Sequence, residues 1–141
     1  MSHTTKVDVK ISSASAIRSA VLALQQAGVS CSLLENAKPR MFYSNQHGEC
    51  DFVLKLNDCP YDVGFERQPD GTFSPVYDEW GGHIAKKIGN SNASGFGKHI
   101  GKFMQQYSAA VTIEAATAQG YYVESTTTDS EGNIQLVLGG M

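Results

Sequence analysis

The sequence predicts a small α+β domain with a mostly antiparallel sheet and two helices. Two segments show the apolar spacing of helices, and runs of short strand-like segments separate them. Helices separated by strand runs are typical of α+β proteins. The predicted element order is β-α-β-β-β-β-β-α-β-β. With 141 residues, no internal repeat and no linker, residues 1–141 are expected to form one domain.

The two predicted helices have clear ends. The first spans Ser13–Ala27, where a serine hydroxyl can cap the start and Gly28 suits a left-handed residue after the end. The second ends before Gly120 and carries the longest apolar stripe in the chain, so we expect it to be the central core helix. That stripe comprises Ile100, Phe103, Met104, Tyr107, Val111 and Ala118.

The remaining regular segments are short and rich in β-branched and aromatic residues, which predicts strands. They are Val7–Ile11, Ser30–Leu34, Arg40–Ser44, Asp51–Leu56, Tyr61–Arg67, Thr72–Tyr77, Tyr121–Thr127 and Ile134–Leu138. Pro75 cannot donate to a central ladder, so its segment is expected at an edge of the sheet.

Composition excludes several classes of protein. The longest apolar run, Ala20–Leu24, is far shorter than the ~20 residues of a membrane helix. The N-terminal segment does not show the basic-then-apolar pattern of a secretory signal, so we expect none. Three cysteines are too few for a disulfide scaffold and fit a reducing cytoplasm. The formal net charge of −3 argues against nucleic acid as a partner.

One segment is basic in an otherwise acidic chain. Between Trp80 and Ile113 there is no Asp or Glu, and all 14 acidic residues lie elsewhere. A Gly-rich loop at about residues 81–99 leads into the second helix, and backbone amides together with a helix N-terminus suit an anion. The predicted ligand-binding residues are Lys86, Lys87, Ser91, Asn92, Ser94, Lys98, His99 and Lys102, with Trp80 available to stack on a base.

One alternative to this anion site remains open, and a second candidate site directly precedes it. The segment is not a Walker loop, because His99 follows Gly97-Lys98 where Ser or Thr is required. A flexible lid with solvated lysines fits the same composition. Asp78-Glu79 beside Trp80 can hold a ribose, an amine or a metal, or can be a surface turn.

No metal or catalytic residue is predicted. His47 and Cys50 make one pair of metal-ligand spacing, but neither Cys59 nor any other residue supplies a second matching pair. A hairpin tip with small, half-buried cysteines fits these residues. No cysteine precedes an evident helix N-terminus that would activate it. We therefore expect neither an enzyme nor a bound cofactor.

Five segments carry a resemblance to a known family. They are Met1-Ser2-His3, the Arg40-to-Leu54 region, Tyr61-Asp62-Val63-Gly64-Phe65, Tyr107 through Gly120-Tyr121, and Asp129 to Leu138. In this order and spacing they resemble the hypothetical-chloroplast-reading-frame-thirty-five family of cyanobacteria, plastids and some phages. The resemblance implies a small soluble α+β domain with no assigned activity. It excludes the region around Gly81–Gly97, where this chain carries its own basic loop.

These observations favour a non-catalytic binding protein for a small anionic molecule, nucleotide-like in kind. If the gene is viral, the expected use is sequestration of a signalling nucleotide in the host cytoplasm. The main alternative is an assembly or adaptor protein that docks a protein partner through its sheet, and a third is a cryptic enzyme. Exposed strand edges also lead us to expect a homo-oligomer.

Overall fold

The computed structural model describes residues 10–43, 47–129 and 133–140, and it confirms the predicted α+β class. The helices are α1 (Ala14–Gln26), α2 (His83–Ile88) and α3 (Phe96–Ala118), and a 3-10 turn at Trp80–Gly82 precedes α2. The strands are β1 (Cys31–Ala37), β2 (Cys50–Leu56), β3 (Val63–Arg67), β4 (Phe73–Val76), β5 (Tyr122–Thr128) and β6 (Ile134–Gly139). Of the described helices, none combines the length and the apolar composition that a membrane crossing requires.

The main sheet is antiparallel with the strand order β1-β2-β3-β4. Pro75 lies in β4 opposite Phe65, and β4 is the last of these four strands, as the proline predicts. Ile11, outside the named strands, forms an isolated antiparallel bridge with Phe73 at the start of β4. Of the rest of the strand predicted at Val7–Ile11, Lys10 has no regular secondary structure, and residues 7–9 lie outside the described part.

The core lies between this sheet and the helices α1 and α3. Ser13 caps α1 as predicted, its Oγ accepting from the Ala16 amide at 3.0 Å. The Phe103 ring packs on Phe65 of β3, with ring centroids 4.9 Å apart. The Tyr107 hydroxyl accepts from the amides of Ser12 and Ser13, so one α3 side chain satisfies orphan donors at the start of α1.

The basic segment is not a continuous loop, which corrects the prediction for residues 81–99. It contains α2, and α3 begins at Phe96, four residues before its predicted apolar stripe. Ile84 and Ile88, one helical turn apart, are both buried, and this burial stabilises a six-residue helix between glycines. The backbone leaves helical values at Ile100, so the first turn of α3 is offset from the rest.

The segment predicted as a strand at Arg40–Ser44 is also wrong over its described part. Residues 40–43 lie outside the sheet. The reason is that Arg40 pairs its backbone with Asp62, just before β3, instead of joining a strand ladder: the Asp62 amide donates to the Arg40 carbonyl at 3.0 Å.

The two closing strands form a separate hairpin. β5 and β6 pair antiparallel as predicted, with an irregularity between Val123 and Ser125. Most of their side chains are exposed on both faces. The hairpin therefore contributes little to the core.

Phe103 and Tyr107 are 0% and 1% exposed, which confirms α3 as the core helix. Phe103→Ala should lower the free energy of unfolding by about 3–5 kcal/mol, because it opens a cavity against Phe65. Urea denaturation measures this change. Lys102→Ala, at the exposed neighbouring position, is the control and should stay within about 0.5 kcal/mol of wild type. Equal losses for the two variants would show that α3 does not pack as described.

Candidate functional site

Three exposed aromatic side chains surround an open cavity of about 410 Å³. We call it the aromatic cavity; among the described residues its walls are Phe42, Tyr43, Asp78 and Trp80. This volume lies within the range of ~300–1,000 Å³ that is usual for small-molecule sites.

The aromatic rings of the cavity contact one another although they are open to solvent. Phe42, Tyr43 and Trp80 are 53%, 67% and 62% exposed. The Phe42 ring lies 5.0 Å from that of Tyr43 and 5.8 Å from that of Trp80, both nearly perpendicular. Large aromatic side chains clustered at the surface characterise binding sites more than folding cores.

Asp78 connects the two sides of the aromatic cavity. Its Oδ2 accepts from the Phe42 amide and its Oδ1 accepts from the Trp80 amide, each at 2.9 Å. One carboxylate therefore fixes the backbone that carries both rings. Each oxygen has a second lone pair, so Asp78 can also accept from a ligand.

A second carboxylate fixes the backbone two residues before Phe42. Asp62 is the charged residue buried within the described part of the chain, and it holds Arg40 in a two-pronged pair. Arg40 Nε donates to Asp62 Oδ2 at 2.9 Å and Arg40 Nη2 donates to Oδ1 at 2.8 Å. The Arg40 amide also donates to Asp62 Oδ2, at 3.0 Å. This hydrogen bonding raises the pKa of Arg40.

The structure brings together the two parts of the chain that carry the predicted lysines. Lys86 and Lys87 are in the last turn of α2, and Lys98 is in the first turn of α3. A Cβ at Gly89 would collide with the Lys98 carbonyl oxygen, so the end of α2 touches the start of α3. We call Lys86, Lys87, Lys98 and Lys102 the basic junction.

The polar loop between α2 and α3 is less suited to an anion than its sequence predicts. Ser91, Asn92 and Ser94 are exposed, but several loop amides already have acceptors. The Asn90 amide donates to the Gly97 carbonyl at 3.1 Å, and the Asn92 amide donates to Asn90 Oδ1 at 3.1 Å. These amides are directed into the loop's own turns instead of toward a ligand.

His99 faces a carboxylate and an aromatic ring. Its Nε2 lies 3.4 Å from Glu79 Oε1, and its ring centroid lies 5.6 Å from that of Tyr77. Burial, and next the charge of Glu79, raise the pKa of Tyr77 to about 12. Because Glu79 lies between Asp78 and Trp80 in sequence, this contact links the aromatic cavity to the first turn of α3.

Phe42 and Tyr43 are the site residues that the sequence analysis missed. Both lie in a segment predicted as a strand. Neighbouring strand residues face opposite sides of a sheet, so Met41, Phe42 and Tyr43 in succession could not all be buried on one face. The run of three large side chains therefore predicts that at least one aromatic side chain is exposed.

The comparison with protein families gives a match to the model described as "Protein of unknown function (DUF1257)" over residues 23–137. The chain belongs to this family. The DUF1257 match includes the aromatic cavity, the basic junction and the four-stranded sheet. Searches of the curated proteins and of the solved structures found no match to this DUF1257 chain.

Asp78→Ala should loosen the aromatic cavity, because two backbone amides lose their acceptor. We expect a loss of about 1–2 kcal/mol in unfolding free energy. Trp80, the sole tryptophan, should also show lower fluorescence anisotropy. Asp51→Ala is the matched control, since Asp51 Oδ1 likewise accepts from a backbone amide, that of Arg67. Anisotropy that is unchanged by Asp78→Ala, or lowered as much by Asp51→Ala, would contradict this role.

Proposed function

We propose that the protein is a non-catalytic binding protein that holds a nucleotide-like molecule, with the base in the aromatic cavity and the phosphate toward the basic junction. The observation that carries this proposal is the cluster of three exposed aromatic rings around a carboxylate-lined cavity. Stacking of one base on aromatic side chains contributes ~1–3 kcal/mol. Asp78 can accept hydrogen bonds from a ribose hydroxyl or a base amino group.

The basic junction supports the phosphate end of this ligand. Charge-assisted hydrogen bonds from lysine to phosphate are stronger than neutral ones. Glu79 precedes Trp80 and its Oε1 lies 3.4 Å from Nε2 of His99, the neighbour of Lys98, and this contact supports a ligand that reaches from the cavity to the junction. Glu79 also repels a phosphate, so we assign the phosphate to Lys98 and Lys102 and not to His99.

The proposal includes a location in the cytoplasm and a use for nucleotide binding there. The three buried, unpaired cysteines fit the reducing cytoplasm, where a virus-encoded protein of this kind would sequester a host nucleotide. The resemblance to the hypothetical-chloroplast-reading-frame-thirty-five family is compatible with this use, because that family has no assigned activity.

A second candidate function is assembly, and the β5–β6 hairpin favours it. Tyr121, Tyr122, Val137 and Leu138 are large exposed apolar residues on or next to these strands. An isolated two-stranded hairpin is marginal in water, and its outer edges can pair with another chain. A second copy of the protein is the partner we propose for this surface.

The fluorescence of Trp80 tests the nucleotide proposal directly, since no other tryptophan contributes. Nucleotides with mono- and triphosphate groups should quench it saturably, and Lys98→Ala should raise the dissociation constant by about 10-fold, the loss of one charge-assisted hydrogen bond. Lys10→Ala, which removes an exposed lysine beside Asp70, is the control and should leave the dissociation constant unchanged.

The absence of quenching by every nucleotide tested would overturn the ligand proposal. Sedimentation then separates the second candidate from it. A mass above one chain that falls to one chain in Tyr122→Ser/Val137→Ser would support assembly through the hairpin. One chain for the wild type across the micromolar range would remove assembly as well.

A further inference from the structure

We propose that His47, Cys50 and Glu66 form a binding site for a divalent transition-metal ion, with Zn²⁺ as the best match. The three residues offer one imidazole nitrogen, one thiol sulfur and one carboxylate oxygen, all within 4.8 Å of one another. This cluster is separate from the aromatic cavity and the basic junction, so it does not depend on the proposed nucleotide function.

The three side chains lie close enough to meet around one ion after the imidazole ring turns. His47 Nε2 lies 2.8 Å from Glu66 Oε2, and the other ring nitrogen, Nδ1, lies 3.8 Å from Cys50 Sγ. One of these two nitrogens would bind the ion, and with that choice all three donor atoms lie within 4.8 Å of one another. Zinc holds nitrogen and oxygen ligands at ~2.0–2.2 Å and sulfur at ~2.3 Å. Donors that already lie this close can move around one ion through side-chain rotation.

The set of donor atoms selects the kind of metal. A thiolate and an imidazole favour zinc and its transition-metal neighbours, whereas Mg²⁺ and Ca²⁺ prefer all-oxygen ligands. Three protein ligands leave one tetrahedral position for a water molecule.

The electrostatic surroundings favour a cation. The Glu66 carboxylate within the cluster attracts a divalent ion. The neighbouring Asp51 carboxylate is paired with Arg67, 3.7 Å away, so Glu66 supplies the main negative charge. A bound metal displaces the thiol proton and leaves the thiolate paired with a positive charge.

The pairing of β2 with β3 creates this cluster from residues that are distant in sequence. Cys50 begins β2 and Glu66 lies in β3, while His47 precedes β2. A Cβ at Gly64 would lie 2.6 Å from Cys50 Sγ, so the glycine leaves the space that the sulfur fills. The His47–Cys50 pair is visible in the sequence, but its third ligand appears only when the strands are paired.

Cobalt provides the test, because Co²⁺ replaces Zn²⁺ and its bond to thiolate absorbs in the near ultraviolet. The purified full chain, treated with a chelator and dialysed, should develop this thiolate-to-metal band on titration with CoCl₂, and ZnCl₂ should abolish the band by displacement. Cys50→Ser should remove the band. Glu66→Gln should weaken Co²⁺ binding by about 10-fold or more.

Matched controls identify the site. Cys59→Ser removes another buried thiol, and Glu49→Gln removes a neighbouring exposed carboxylate, and neither should alter the titration. His47→Gln changes a residue outside the strands, so it keeps the test valid if Cys50→Ser fails to fold. No thiolate band with the wild type at millimolar Co²⁺ would overturn the proposal. A band that survives in His47→Gln but disappears in Cys59→Ser would also overturn it.

Discussion

The aromatic cavity depends on the hydrogen bonds of the buried Asp62 carboxylate. This carboxylate accepts from the side chain and the backbone of Arg40, and its Oδ1 also lies 3.2 Å from the Leu56 amide at the end of β2. Arg40 Nη2 in turn donates to the Leu56 carbonyl at 2.8 Å. Because the partners of Asp62 are polar groups of the connecting segment and of β2, this one side chain attaches residues 40–43 to the sheet.

The attached segment supports the aromatic cavity. Beyond Arg40 it carries Phe42 and Tyr43 to Trp80, where Asp78 completes the aromatic cavity. Before Arg40, the Pro39 ring lies 3.1 Å from the position of a Cβ on Gly64, the residue that makes room for Cys50. Residues 39–43 thus contact the aromatic cavity at one end and the surroundings of Gly64 at the other.

The sequence predicted those elements whose local signals agree with their tertiary setting. The Ser13 cap, the Gly28 stop and the apolar spacing between them fix α1 almost to the residue. Pro75 correctly indicated an edge strand. In contrast, the segment at Arg40 has the composition of a strand, but its long-range pair with Asp62 keeps it out of the sheet.

The sites were also predictable only in part, because they depend on contacts between distant segments. Charge segregation predicted the basic junction as a ligand site, which stays a prediction, and in the structure the end of α2 contacts the start of α3 at Gly89. The glycines around α2 favoured the prediction of a loop. The helix forms because Ile84 and Ile88 are buried, and this burial depends on the rest of the core, which the local sequence does not show. The neighbours of Trp80 and the third residue of the metal cluster come from distant segments, and no local pattern in a single sequence reveals such contacts.

A double-mutant cycle between Arg40 and Asp62 tests this dependence most directly. Arg40→Met, Asp62→Asn and the double variant would be unfolded in urea, with the anisotropy of Trp80 recorded before unfolding. If the pair holds the segment, the coupling free energy should be about 2 kcal/mol or more, within the range for residues in one network. Each single variant should also lower the anisotropy of Trp80, because Phe42 would no longer support the indole. A coupling free energy below about 0.5 kcal/mol, with unchanged Trp80 anisotropy, would show that the aromatic cavity forms independently of Asp62.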